Sequence, residues 1–450
     1  MSRIETPLEL TSEVTDLLQH LIRNQCVNDG RVSSGEETRS ADLLRTYLEG
    51  SGLDLTQYEP EPGRASLIGR IEGSDPSWPT LCLMGHTDVV PVTPSGWTRD
   101  PFGGELVDGE VWGRGAVDML NLTASMAVAF RRLARSGWRP RGTLVYFAVA
   151  DEEAGGTHGA EWVAEHAYDA VRSDYVLTES GGILHRGPAG RTLTLTTAEK
   201  GVAWRRLRVR GTPAHGSMPY GADNALVKAA LVVALLSEYR PAASITDAWR
   251  TYVSTLDLPD ELREALKDPD SVDDACARID DPRLAKLVHA CTHMTFSPNV
   301  AHGGVKTNVI PDTVELEVDI RTLPGQGPED VRASLDEVLG PLAGEIEVEV
   351  IRESSPTASA WDTSLREVLE RVARQTYPEV ALVPRLTTGG TDARFFREKG
   401  AVAYGFGLFS PAVTVEEFSS RFHGNDERVD VESLRLTTEM WMDVATELLS

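Results

Sequence analysis

Apolar positions along the first third of the chain fall into two alternating textures. TSEVTDLLQHLIRNQ and EETRSADLLRTYLEG repeat their apolar residues with the spacing of amphipathic helices, and the second stops at Gly50. TLCLM, GTLVYFAVA and DYVLT are short apolar runs that read as buried strands, with LTASMAVAFRRLARSG and GAEWVAEHAYDAV as helices between them. Helix and strand in alternation predict an α/β domain on a mostly parallel sheet.

Near residue 198 the period changes to two. KGVAWRRLRVRG and TVELEVDIRTL alternate polar with apolar, as strands with one solvated face do. They predict a smaller α+β domain, with a helix at Ala225–Leu236 and an acidic insertion of helices and loops at Pro241–Pro298. From about Ser355 the helical WDTSLREVLERVARQTY and the apolar GAVAYGFGLF restore the first texture. The expected organisation is an α/β domain over residues 1–197 and 355–450, interrupted by an α+β domain over 198–354.

A chain of 450 residues has room for two or three domains. Its net charge of −25 and pI near 4.8 exclude nucleic acid and anionic membrane as partners, since both need a basic face. MSRIETPLELTSEV lacks a basic segment followed by an apolar one, and no apolar run reaches the ~18–20 residues of a membrane span, so the expectation is a soluble, cytoplasmic protein. Cys26, Cys82, Cys276 and Cys291 are scattered without C-x-x-C spacing, which leaves any metal to His, Asp and Glu.

Such residues stand where apolar strands end. His86 and Asp88 follow TLCLM, Glu152 and Glu153 follow LVYFAVA, and Glu179 follows DYVLT. Open α/β sheets collect their sites outside the carboxyl ends of strands. A His with a carboxylate two residues on suits a ligand held by a second acid. Asp118, after the Gly-Arg-Gly turn, is a carboxylate that can bridge two cations. The run Asp151-Glu152-Glu153 crowds like charges at the mouth of a core, which is unfavourable unless cations neutralise them, and lets one Glu bind metal while the other moves a proton. Taken alone, each is ordinary. Together His86, Asp118, Glu153, Glu179 and His423 give two imidazoles and three carboxylates, a set suited to two divalent ions, zinc best, with cobalt or manganese also able to serve.

In their order, LMGHTDVVP, PFGGELVDGEVWGRGAVDM, ADEEAGG, GTPAHGSMP, TNVIP, DIRTLPG, GGTDARF and FHGNDE make the sequence resemble the aminoacylase, glutamate carboxypeptidase and succinyl-diaminopimelate desuccinylase family of metallopeptidases. The resemblance implies that Asp118 bridges two zinc ions, with His86 and Glu179 on one and Glu153 and His423 on the other. It implies that Asp88 orients His86 and that Glu152 is the general base. His215 matches the position that polarises the substrate carbonyl, often across a dimer. Asn308 and Arg321 match positions that hold a substrate carboxylate, and the Gly390-Thr391 segment is expected to contact substrate. The inserted domain is then a lid that frequently forms the dimer interface, so a homodimer through it is expected.

The expected activity is metal-dependent cleavage of a peptide or N-acyl amide in a small substrate with a free carboxylate, of the dipeptidase or carboxypeptidase type. An N-acyl-amino-acid deacylase or desuccinylase is the alternative. A catalytically silent metal- or ligand-binding relative is the alternative from another class, against which Glu152 counts, because a binder needs no base beside its ligand. Asp118-Met119-Leu120-Asn121 departs from the Asp-Met-Lys-Gly of many relatives, and the acidic insertion departs from the smallest desuccinylases.

Overall fold

Alternate residues of the central strands are buried on opposite faces, which is why their sequences are unbroken apolar runs. In the computed structural model, which describes residues 7–187 and 190–450, Leu81 and Leu83 of strand Thr80–His86 join one core while Cys82 and Met84 join another. Strand Thr143–Val149 divides likewise, with Leu144, Tyr146 and Ala148 on one side and Val145, Phe147 and Val149 on the other. Helices Pro7–Arg23, Leu120–Arg135, Ser364–Thr376 and Val431–Leu449 cover the first face; Ala160–His166 and Ala393–Glu398 cover the second.

The chain forms two units. One takes the residues up to Thr197, Ser359–Arg385 and Thr391–Ser450; the other takes Ala198–Ala358 and Leu386–Gly390. In the first, strands Thr143–Val149, Thr80–His86, Tyr175–Thr178 and Val402–Gly405 lie side by side and parallel at the centre of a mixed sheet. Antiparallel strands extend it on both sides, among them Ser66–Ile71 and Gly190–Glu199. The segment predicted as one helix from Gly159 is two, Ala160–His166 and Tyr168–Val171, because Ala167 at φ −140° leaves the helical region.

The second unit is a four-stranded antiparallel sheet ordered Thr295–Gly303, Thr313–Thr322, Gly201–Arg210, Ile346–Ser354. Its period-two pattern has a direct use. Leu207, Val209, Val314, Leu316, Val318 and Ile320 pack beneath helices Ala225–Glu238 and Pro328–Leu339. On the solvated face, Arg206 and Arg208 pair across the strands with Glu315, Glu317, Glu347 and Glu349, the arrangement that favours this register. Residues 241–298 supply four short helices, Asp247–Val253, Asp260–Ala265, Val272–Cys276 and Pro282–Thr292, closed over a small core that includes Trp249, Val253, Leu266 and Val288. Among the described residues no helix is long and apolar enough to cross a membrane.

Candidate metal centre and active site

Three adjacent parallel strands end level with one another, since Leu81 pairs with Tyr175 and His86 with Val149. Their carboxyl ends therefore deliver His86, the Glu152–Glu153 turn and Glu179 to one edge. Asp118 arrives there just before helix Leu120–Arg135, and His423 follows helix Val415–Arg421. At this edge two groups have their ligand atoms within 4.8 Å of one another: His86, Asp118 and Glu179, and Asp118, Glu153 and His423. Asp118 belongs to both.

The distances are those of a compact polar centre. His86 Nε2 lies 3.2 Å from Asp118 Oδ1, while His423 Nε2 lies 3.0 Å from Asp118 Oδ2 and 3.3 Å from Glu153 Oε2. His86 Nδ1 is 3.0 Å from the main-chain carbonyl of Asp88, which can only accept, so Nδ1 carries the hydrogen and Nε2 turns towards Asp118. The Asp88 carboxylate stands 3.6 Å from the same nitrogen. It accepts instead from Asn28 Nδ2 at 2.8 Å and from the main-chain amides of Glu153 at 3.1 Å and Glu152 at 3.3 Å, so it holds the Glu152–Glu153 turn as much as the imidazole.

Charge makes the centre demand cations. Burial, then the neighbouring Glu179, pushes the Glu152 carboxyl well above its ordinary range; burial, then Asp118, does the same to Glu179. Glu153 is also raised by burial. Burial opposes ionisation of Asp118 too, but hydrogen bonds from His423 and His86 hold it low. Donating to Asp118 and Glu153 raises His423 to about 10. His86, although burial works against its charge, is lifted well above normal by Asp118 and the surrounding carboxylates. Protons are thus drawn in wherever divalent ions are absent.

Residues outside the recognisable motifs hold this geometry. Arg64 is buried between Glu37 and Asp151, and Asp151, in the left-handed region at φ 71°, begins the Glu152–Glu153 turn. Glu427 is fully buried and accepts from Arg114 Nη1 at 2.7 Å and from the amides of Gly115, Val117 and Asp118 at 3.1, 2.6 and 3.0 Å. It clamps the turn that presents Asp118, and burial raises its pKa to about 7. Asp392, next to Thr391, adds its negative field to Glu152 and Glu179. Sequence reading missed Asn28, Glu37 and Arg64 entirely; the available signal was an Arg two residues before a strand with four consecutive buried residues.

The remaining expected residues lie in the second unit, Thr391 excepted. His215 and Asn308 come together there: His215 pairs with Val309, and the amide of Gly216 donates to Asn308 O at 2.8 Å. His215 Nδ1 accepts from the amide of Ser217 at 3.2 Å, so its Nε2 bears the hydrogen and is an exposed donor. Arg321 grips Asp319 through both ends of its guanidinium, at 2.7 and 3.1 Å. Gly390 closes the Leu386–Gly390 segment, and the Thr391 hydroxyl accepts from the amide of Ala393 at 3.2 Å.

Two divalent ions fit the donor set. Glu153 Oε1 is buried with no hydrogen-bond partner among the described residues, His86 Nε2 faces the Asp118 carboxylate at 3.2 Å, and the donors are the imidazole and carboxylate groups that borderline and hard divalent cations take. Residues 82–447 match the profile of peptidase family M20/M25/M40. The chain is 27% identical over 434 residues to the N-fatty-acyl-amino acid synthase/hydrolase of Xenopus tropicalis, covering 92% of this chain and 82% of that one. It is 29% identical over 409 residues to the succinyl-diaminopimelate desuccinylase of Cereibacter sphaeroides, covering 88% and 90%. Its fold is that of an M20 family metallo-carboxypeptidase from Sulfolobus solfataricus, with a TM-score of 0.71 at 18% identity over 97% of this chain and 99% of the other. A profile match across most of the chain makes this protein a member of peptidase family M20/M25/M40, a metal-dependent hydrolase of amide bonds.

Proposed function

We propose that the protein removes an acyl group from the nitrogen of an amino acid with a free carboxylate, dipeptides included, using two zinc ions held by His86 and Glu179, by Glu153 and His423, and by Asp118 between them. The observation that carries this reading is the pair of three-residue ligand groups sharing Asp118. The ions, when bound, supply Lewis acidity to a water and to the substrate carbonyl. Glu152, whose burial raises its proton affinity, takes the proton from the attacking water and hands it to the leaving amine. Asp88 keeps Glu152 and Glu153 in register by accepting their amide hydrogens. His215 is the proposed donor to the developing oxyanion, and Asn308 and Arg321 the proposed grip on the substrate carboxylate; Gly390 and Thr391 are proposed to line the bound substrate. The names of both sequence relatives, an N-acyl-amino acid hydrolase and a desuccinylase, support an N-acyl amino acid as substrate. A homodimer through the second unit is part of the proposal, supported by exposed Leu226, Val227 and Leu231 on one helix. The free thiols of all four cysteines support a cytoplasmic setting.

Hydrolysis of dipeptides, N-fatty-acyl and N-succinyl amino acids by the zinc-loaded protein, with Glu152→Gln alongside, tests the reading. The variant should lose about 10²–10⁴-fold in turnover with zinc content unchanged. Loss of zinc in that variant would assign Glu152 to metal binding instead, and an unreactive wild type across all three substrates would refute the substrate class.

A further inference from the structure

The four-helix insertion carries a cluster that the hydrolytic centre does not use. His289 and His293 stand four residues apart at the end of helix Pro282–Thr292, on one face. Their rings stack, with centroids 4.5 Å apart and planes 12° from parallel. Asp273, from the neighbouring helix Val272–Cys276, brings Oδ1 to 3.3 Å from His293 Nε2. One ligand atom from each of the three lies within 4.8 Å of the others.

Hydrogen bonding decides which nitrogen of His293 is bare. Thr292 Oγ1 gives its single proton to Val288 O at 2.7 Å. Towards His293 Nδ1, 2.9 Å away, it can therefore only accept, and the main-chain carbonyl of His289, 3.3 Å from the same nitrogen, is likewise an acceptor. Nδ1 carries the hydrogen, so in the neutral ring Nε2 presents a lone pair. The His293 side chain is 1% exposed, and Nε2 has no hydrogen-bond partner among the described residues. A buried lone pair facing a carboxylate oxygen is two acceptors in opposition unless a cation stands between them.

Lys200 does not occupy the cluster: its Nζ donates to the carbonyls of Ala290 and His293, both at 2.8 Å. Two neutral imidazoles and a carboxylate form a borderline donor set, that of zinc.

We infer that Asp273, His289 and His293 bind a divalent ion of the zinc class at a site separate from the hydrolytic centre. The ion joins helix Val272–Cys276 to helix Pro282–Thr292 and leaves one coordination position to solvent on the side where Asp273 is exposed. The inference does not rest on the proposed hydrolytic function, because its residues all lie in the insertion.

The full-length protein, stripped with chelator and dialysed against buffered zinc, is analysed for zinc per chain in wild type, Asp273→Asn, His289→Gln and Asp118→Ala. Asp273 and His289 are not fully buried, so their variants keep the fold. Each should hold one zinc fewer than wild type, retain turnover, and gain less in unfolding midpoint on zinc addition. Asp118→Ala should lose zinc from the hydrolytic centre yet keep the ion in the insertion. Wild-type zinc content in both Asp273→Asn and His289→Gln would overturn the site, whatever Asp118→Ala shows.

Discussion

Arg64→Met removes a guanidinium that is 1% exposed and lies between two carboxylates, Glu37 at 0% and Asp151 at 2%. Methionine fills the volume of the stem but leaves both acids without their cation. Breaking a buried ion pair by removing one partner costs about 3–5 kcal/mol. The lower end applies here, since Asp151 keeps donors in Asn28 Nδ2 at 3.1 Å and the His158 amide at 2.8 Å, and Glu37 can take up a proton. Burial, then Asp88, already raises Glu37 to about 8. Because this folded-state pKa lies above the ordinary carboxylate value, the stability linked to its proton is present at low pH and is lost as pH rises through 8. Without Arg64 the folded pKa climbs further, so the variant goes on losing stability in a range where wild type has levelled. The expected deficit is about 3 kcal/mol near neutrality, smaller at pH ~6 than at pH ~9. Urea unfolding of both proteins at the two pH values, with slopes compared to check that the same surface is exposed, measures it. A deficit below about 1 kcal/mol, or one equal at the two pH values, would refute the reasoning.

Asp118→Ala should reduce the hydrolytic centre to one ion or none, and two ions retained there would sink the bridging role. Zinc affinity should fall as pH falls, by about tenfold per unit for each proton displaced, because His423, raised to about 10 by Asp118 and Glu153, must shed its proton to bind metal; competition with a chelator at several pH values reads this, and a flat profile would contradict it. Arg321→Ala should raise KM by about 10–100-fold for substrates with a free carboxylate, the worth of a charged hydrogen bond, with a smaller change in kcat. An unchanged KM would leave Arg321 as the partner of Asp319 alone.

Several features were legible in the residues themselves. TLCLM and LVYFAVA announce strands buried on both faces, because neither face has a polar residue to offer water, and the alternation in KGVAWRRLRVRG announces a sheet with one wet face. His86, Glu152, Glu153 and Glu179 were legible as a group because each follows such a run, and parallel strands share their carboxyl edge. Two expectations needed refinement. Asp88 stands beside His86, but its carboxylate also takes the amides of Glu152 and Glu153, a bond that no local spacing reveals. Arg321 meets Asp319 two residues away on the same face of its strand, a pairing that period two makes readable after the fact.

The sequence by itself determined the type of the main elements, the edge at which ligands gather and the chemistry those ligands suit, since periodicity and residue type are local properties. Only the tertiary structure decided what holds them in place. Asn28 reaches Asp88 across 60 positions, Arg64 reaches Asp151 across 87, and Glu427 reaches Asp118 across 309. A buried charge can persist only beside a partner, and the identity of that partner is set by which strands pair and which loops fold back over the sheet. No pattern along the chain carries that information.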